Sequence, residues 1–294
     1  MASAAQSSRL LDQECTFSSL CDELDLDVRI KKGIARLGYI RPTLVQRQCL
    51  TLGINQGRDL LVRARTGSGK TLAYCIPILQ KILIKKNTTA TTPPGEFVKA
   101  VILVPTRELC DQVYSAFKGL MYYCDEVVNV AVLGGAPLAD EEAKFRALQQ
   151  EAMLRDKPDV VVSTPAGLWR LVKEEKLILK NSVETLVVDE ADLVLSFGYA
   201  KDVEQLARHL PQICQGFLMS ATLTPELDSL KKVVLHSPAI LKLEEEELPD
   251  KHNALNLSQF YLALPKKDKK LVIYVFLKVR KTSNYQHEFF IFVS

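Results

Sequence analysis

Eight consecutive residues, Ala64-Arg65-Thr66-Gly67-Ser68-Gly69-Lys70-Thr71, have the types and spacing to hold a phosphate. They follow the apolar run Asp59-Leu60-Leu61-Val62-Arg63 and open a helix-like stretch, Leu72-Ala73-Tyr74-Cys75-Ile76. A strand, a glycine-bearing loop and a helix in that order form a phosphate-binding loop. Gly67 and Gly69 let the backbone turn its N–H groups around an anion, and the helix adds unpaired amides and its positive dipole end. Lys70 is expected on the β and γ phosphates, standing in solvent until nucleotide arrives, and Thr71 on Mg2+. The competing reading is a glycine-containing turn ahead of a surface helix. Ala64 replaces the first glycine of the usual pattern; with alanine allowed, chance supplies such a match in roughly one chain in forty of this length.

Val187-Val188-Asp189-Glu190-Ala191-Asp192 is the second signal, an apolar strand running into adjacent carboxylates. A Mg2+ ion bridging two phosphates needs an oxygen from the protein side, which Asp189 at a strand end can supply, often through water. Glu190 can take a proton from an attacking water. A lone Asp-Glu pair is more often a charged helix cap; the upstream phosphate loop tips this one toward metal and proton chemistry.

The elements that must position these residues read as alternating short strands and longer helices. Apolar runs at Ala100 to Pro105, Val127 to Leu133, Asp159 to Ser163, Glu184 to Val188, Gly216 to Met219 and Ala239 to Leu243 have buried-strand character. A helix is expected over Val28 to Leu37, capped by Asp25 or Asp27 and ended by Gly38, and another after Thr43 or Arg41. The alternation implies right-handed βαβ units and a parallel α/β sheet covered on both faces, with ligands at the carboxyl ends of its strands. Lys85 to Gly95 reads as a surface loop.

Composition sets broad bounds. At 294 residues, 47% apolar and 25% charged, the chain is an ordinary globular protein with room for one large domain and part of another. A net charge of +3 is too small to diagnose a nucleic-acid partner, so any RNA contact rests on local placement of cations. Seven scattered cysteines without a C-x-x-C pair suggest neither disulfides nor zinc, and read as reduced core residues of an intracellular protein. No run approaches the ~18 apolar residues of a membrane span, so neither secretion nor a membrane partner is expected. Residues 1–14 read as a disordered lead-in, 15–243 as the nucleotide-binding domain, acidic 244–256 as a linker, and 257–294 as a further strand, helix and strand that cannot close a sheet alone.

Taken in order, Phe17, Gly38-Tyr39 to Gln46, Ala64 to Thr71, Pro105-Thr106-Arg107-Glu108-Leu109, Gly134-Gly135, Thr164-Pro165, Asp189-Glu190-Ala191-Asp192 and Ser220-Ala221-Thr222 resemble the first RecA-like domain of a DEAD-box RNA helicase. The resemblance covers roughly residues 15–245. It implies ATP and Mg2+ as cofactors and an RNA strand as partner. Gln46 would then read the adenine edge and Phe17 stack on the base, with Arg65, Thr66, Gly67, Ser68 and Gly69 lining the phosphates. Arg107, Gly134, Gly135, Thr164 and Pro165 would hold the RNA backbone. Ser220 and Thr222 would couple the two sites through hydrogen bonds to the acidic motif, which includes Asp192. Arg65, with Asp192-Leu193 and Ser196-Phe197-Gly198-Tyr199, looks most like the nucleolar branch acting in large ribosomal subunit assembly, which implies a pre-ribosomal RNA and a nucleolar location.

Two departures qualify the resemblance. The family usually has Thr-Pro-Gly-Arg where this chain has Thr164-Pro165-Ala166-Gly167, so that arginine contact to RNA is missing or moved. The second RecA-like domain, with its arginine fingers, is not encoded beyond an apparent start in 257–294, and the chain reads as truncated. A non-catalytic nucleotide- and RNA-binding fragment therefore stands beside the helicase reading. A monomer is expected, with an aggregation hazard in the uncharged, strand-forming Phe289-Phe290-Ile291-Phe292-Val293.

Overall fold

The computed structural model describes residues 10–88, 97–133, 149–222 and 224–243, together with 268, 271, 272, 274 and 275. The chain divides into two units, Met1–Glu245 and Glu246–Ser294. In the second unit the described residues 271, 272, 274 and 275 are helical, within the stretch expected to be a helix, and Val272 N–H donates to the Asp268 carbonyl at 3.0 Å.

The first unit is built on seven parallel strands: β1 (Leu60–Arg63), β2 (Ala100–Leu103), β3 (Val130–Leu133), β4 (Val160–Ser163), β5 (Thr185–Val188), β6 (Gln215–Ser220) and β7 (Ala239–Lys242). Their order across the sheet is β3-β4-β2-β5-β6-β1-β7. This is the RecA-like parallel α/β arrangement. Side chains alternate between its two faces. Leu60, Val62, Ile102, Val162, Val187, Phe217 and Met219 join one core, whereas Leu61, Val101, Leu103, Val161, Leu186, Val188 and Leu218 join the other. A strand buried on both faces needs an unbroken apolar run, which is why these segments showed no polar alternation in sequence.

The helices that flank the sheet include α1 (Phe17–Glu23), α2 (Val28–Arg36), α3 (Leu44–Leu50), α4 (Lys70–Thr88), α5 (Arg107–Leu120), α6 (Pro165–Lys173), α7 (Ala191–Ser196), α8 (Ala200–Arg208) and α9 (Pro225–Val234). Asp27 caps α2, its side chain accepting from Arg29 N–H, and Thr43 caps α3 in a reciprocal box with Gln46. Register levels the strand ends: Leu103 lies opposite both Ser163 and Val188, and Arg63 opposite Ser220. The loops that follow β1, β2, β4, β5 and β6 therefore emerge along one edge.

Three expectations change. Residues 10–14 are not a free lead-in: Leu11 bridges Thr43, Asp12 N–H donates to the Pro42 carbonyl at 2.9 Å, and the buried Asp12 carboxylate pairs with Arg47 at 2.7 Å. An ion pair and backbone bonds outweigh the polar composition there. β3 starts at Val130, because Val127 and Val128 donate to the Cys124 carbonyl in a turn. The loop expected from Lys85 begins later, since α4 continues to Thr88; residues 89–96 lie outside the described set. All seven cysteines are free.

Candidate nucleotide-binding site

The phosphate loop leaves β1 beside β6, with Ala64 N–H donating to the Ser220 carbonyl at 3.0 Å. Gly67 and Gly69 both adopt the left-handed backbone, with φ of +82° and +88°. α4 then begins at Lys70 itself, two residues before the apolar run that marked it in sequence. Lys70 is 5% exposed, so the expectation of a solvent-standing lysine is corrected. Its Nζ donates to the Ala64 carbonyl at 3.1 Å and pairs with Glu190 Oε1 at 3.2 Å. A buried ammonium needs such partners, because leaving it unpaired away from water is costly.

Gln46 does not lie on a solvated helix face. It is 5% exposed, its Oε1 accepts from Thr43 N–H at 2.9 Å, and its Nε2 donates to the Gly69 carbonyl at 3.2 Å. The contact leaves no room for a side chain on the loop: a Cβ at Gly69 would sit 2.5 Å from Gln46 Nε2. Phe17, expected to stack on a base, is 2% exposed and belongs to the core under α1. Its ring lies 6.4 Å from that of Tyr39, which is 45% exposed. The aromatic that presents surface here is Tyr39.

At the end of β5, Asp189 is 6% exposed. Its Oδ1 accepts from Glu190 N–H at 2.9 Å and its Oδ2 from the Tyr74 hydroxyl at 2.8 Å. Burial pushes the Asp189 carboxyl up to about 6, with the Glu190 charge adding to the rise and the Tyr74 hydrogen bond and Lys70 opposing it. Glu190 occupies the left-handed region at φ 48°, ψ 51°. For a non-glycine residue this costs about 1–2 kcal/mol. The reversal lets β5 stop and α7 start with only Asp189 and Glu190 between them, and the strained residue is the one whose carboxylate meets Lys70.

Thr222 Oγ1 donates to Asp192 Oδ2 at 3.0 Å, the expected link to the acidic motif. Ser220 makes that link only indirectly, because its hydroxyl donates to the Thr222 carbonyl at 2.7 Å instead. Arg107 opens α5 and lies 3.7 Å from Asp111. Thr164 caps α6, accepting from Gly167 N–H at 3.3 Å, and Pro165 is its first residue. These three residues follow β2 and β4 on the edge that carries the phosphate loop. Gly134 and Gly135 lie outside the described residues.

The donor set fits a nucleoside triphosphate with Mg2+. Ser68 Oγ, inside the loop, is buried without a hydrogen-bond partner, and a phosphate oxygen on the loop would supply one. Among the described residues no cluster of three or more His, Cys, Asp or Glu gathers. Mg2+ characteristically takes one or two protein oxygens plus phosphates rather than such a cage, and Asp189 and Thr71 supply that number. Sequence reasoning missed Tyr74. Its signal was a tyrosine four positions after Lys70 in an otherwise apolar helix, a polar tip that needs a partner once buried.

A RecA-like sheet with a phosphate loop after β1 and paired carboxylates after β5 defines a P-loop nucleotide-binding protein. Residues 43–230 match the DEAD/DEAH box helicase family, and the chain belongs to that family. It is 45% identical over 274 residues to the "Probable ATP-dependent RNA helicase ddx56" of Dictyostelium discoideum, covering 93% of this chain and 37% of the relative. It is 39% identical over 280 residues to "ATP-dependent RNA helicase DBP9" of Candida albicans, covering 94% of this chain and 45% of the relative. The chain thus spans less than half the length of either. A DEAD box protein from Methanococcus jannaschii superposes with a TM-score of 0.65 at 28% identity, over 90% of this chain and 63% of that one.

Proposed function

We propose that the chain binds ATP with Mg2+ and one side of an RNA strand, and that it is the nucleotide-binding part of an ATP-dependent RNA helicase. The observation that carries this reading is the continuous polar chain from Gln46 through Gly69 and Lys70 to Glu190, which joins a base-reading amide to a phosphate loop and an acidic pair. Gln46 retains one acceptor lone pair on Oε1 and one N–H on Nε2 after its two internal bonds. That donor and acceptor match the amino group and N7 of adenine. Tyr39 takes the stacking role first given to Phe17, since its ring has surface to offer.

Lys70 exchanges the Ala64 carbonyl and Glu190 for the β and γ phosphates. Glu190, relieved of its partner, is then free to take a proton from water. Asp189 and Thr71 would hold Mg2+, which would supply neutralisation of charge developing on the phosphates, while Arg65, Thr66, Gly67, Ser68 and Gly69 would line the phosphates. Arg107, Thr164 and Pro165, with Gly134 and Gly135, contact RNA mainly through its phosphates and sugars. Asp192, Ser220 and Thr222 couple the two sites. The RNA is pre-ribosomal and the location nucleolar; Arg65 and the segment Asp192 to Tyr199 support this finer reading through their likeness to that branch.

The test is ATP hydrolysis with and without single-stranded RNA, by this chain and by one extended with a second RecA-like domain. RNA-stimulated turnover in the extended protein is expected, and its absence there overturns the reading. An arginine finger is worth on the order of 10³ to 10⁵ in rate, so adding a domain that supplies one is expected to raise turnover far more than nucleotide affinity.

A further inference from the structure

We propose that Tyr74 is a positioning residue that fixes the Asp189 carboxylate for Mg2+, a role that rests on the nucleotide reading above. Tyr74 is fully buried, and its hydroxyl donates to Asp189 Oδ2 at 2.8 Å. The other oxygen, Oδ1, accepts from Glu190 N–H at 2.9 Å. The carboxylate is thus held from both sides, by two neutral donors that leave its charge available to a cation.

Packing alone does not require the hydroxyl. Phenylalanine would fill nearly the same core volume and leave Oδ2 without its donor. Lys70, Thr71 and Tyr74 lie within the first two turns of α4. One rigid helix therefore indexes the phosphate lysine, the metal hydroxyl and, through Tyr74, the metal carboxylate on β5. The competing view is that Asp189 merely satisfies a buried phenol.

The two are separated by measuring affinity for a fluorescent ATP analogue in Mg2+ and in EDTA, with Mg2+ titrated at fixed nucleotide, on the 294-residue chain and its Tyr74→Phe variant. Partners that orient a metal ligand typically contribute 10–100-fold to metal affinity, so half-saturation is expected at about tenfold higher Mg2+ in the variant. Its affinity in EDTA should equal the parent's. In an Asp189→Asn background the same substitution should have no further effect on the Mg2+ titration. An unchanged Mg2+ titration in Tyr74→Phe overturns the role, as does equal weakening with and without the ion, which indicates general damage to the pocket. A parent chain that binds no nucleotide in either condition removes the nucleotide reading itself, and this role with it.

Discussion

Glu190 Oε1 lies 3.2 Å from Lys70 Nζ, tying the end of β5 to the first residue of α4. Both side chains are largely buried, at 15% and 4% exposure, and Glu190 holds a strained left-handed backbone while making the contact. The pair closes the phosphate loop around its own lysine. Nucleotide binding must compete with that internal bond, so part of the phosphate interaction energy replaces an existing ion pair rather than adding to it.

Lys70→Ala is expected to abolish ATP binding and also to lower the thermal midpoint by several degrees. The stability loss follows because the Ala64 carbonyl and the Glu190 carboxylate lose their shared donor, and a buried group left unpaired costs about 1–3 kcal/mol. Adding Glu190→Gln should recover part of that loss, since a neutral amide is cheaper to leave without its cation. Thermal unfolding of both variants with and without ATP and Mg2+ checks each step. A Lys70→Ala midpoint equal to the parent's would show the ion pair to be energetically idle.

The Gln46–Gly69 contact predicts base selectivity. Parent chain is expected to bind ATP well ahead of GTP, with Gln46→Ala narrowing the gap, because a polar site rejects the wrong edge by leaving its own groups unpaired. Gly69→Ala should narrow it as well, despite an intact glutamine, since the new Cβ would stand 2.5 Å from Nε2 and the φ of +88° suits only glycine. Calorimetric affinities for the two nucleotides decide it, and parent affinities that are equal end the adenine role.

What sequence made legible was local. The phosphate loop and the Asp189-Glu190 pair each sit within a few residues of the strand that positions them, and doubly buried strands betray themselves as unbroken apolar runs. Long-range partners were not legible. Nothing in the order of residues says that Tyr74 meets Asp189, or that Gln46 closes on Gly69, because those distances are set by which strands lie side by side. The burial of Phe17 escaped for the same reason: an aromatic that stacks on a base and one that fills a core look alike until the neighbouring helices are placed. Asp12 looked like solvated lead-in until Arg47 was brought across to it.

Acid sensitivity should reach the fold through Asp27. A hydrogen bond from Arg29 holds its carboxyl down to about 2, against an ordinary 3.8, with burial opposing. The folded value is depressed, so the stabilisation is fully present above pH 3.8 and disappears as pH falls through about 2. Asparagine caps helices as well as aspartate, so Asp27→Asn removes the charge while keeping the cap of α2. The variant is expected to be less stable than the parent at pH 5, with the difference shrinking steadily toward pH 2. Urea unfolding across that range measures it, and a pH-independent difference would assign the effect to geometry instead of charge.

The division after Glu245 yields the last prediction. All seven strands and every residue of the nucleotide site precede that point, and both faces of the sheet are covered by helices from the same unit. A fragment ending at Glu245 therefore carries its complete core and should be monomeric, unfold in one transition and gain several degrees of thermal stability from ATP with Mg2+. Binding of a ligand to the folded state alone stabilises it by about 2.7 kcal/mol at a hundredfold excess over its dissociation constant. The full chain adds Phe289-Phe290-Ile291-Phe292-Val293, an uncharged sequence of high β-propensity, and is expected to aggregate more readily than the fragment. Size-exclusion chromatography and thermal unfolding of the two proteins side by side test both halves. A fragment that fails to fold would mean that residues beyond Glu245 complete the core, and a full chain that stays monomeric and protease-resistant would mean that its apolar end is packed away.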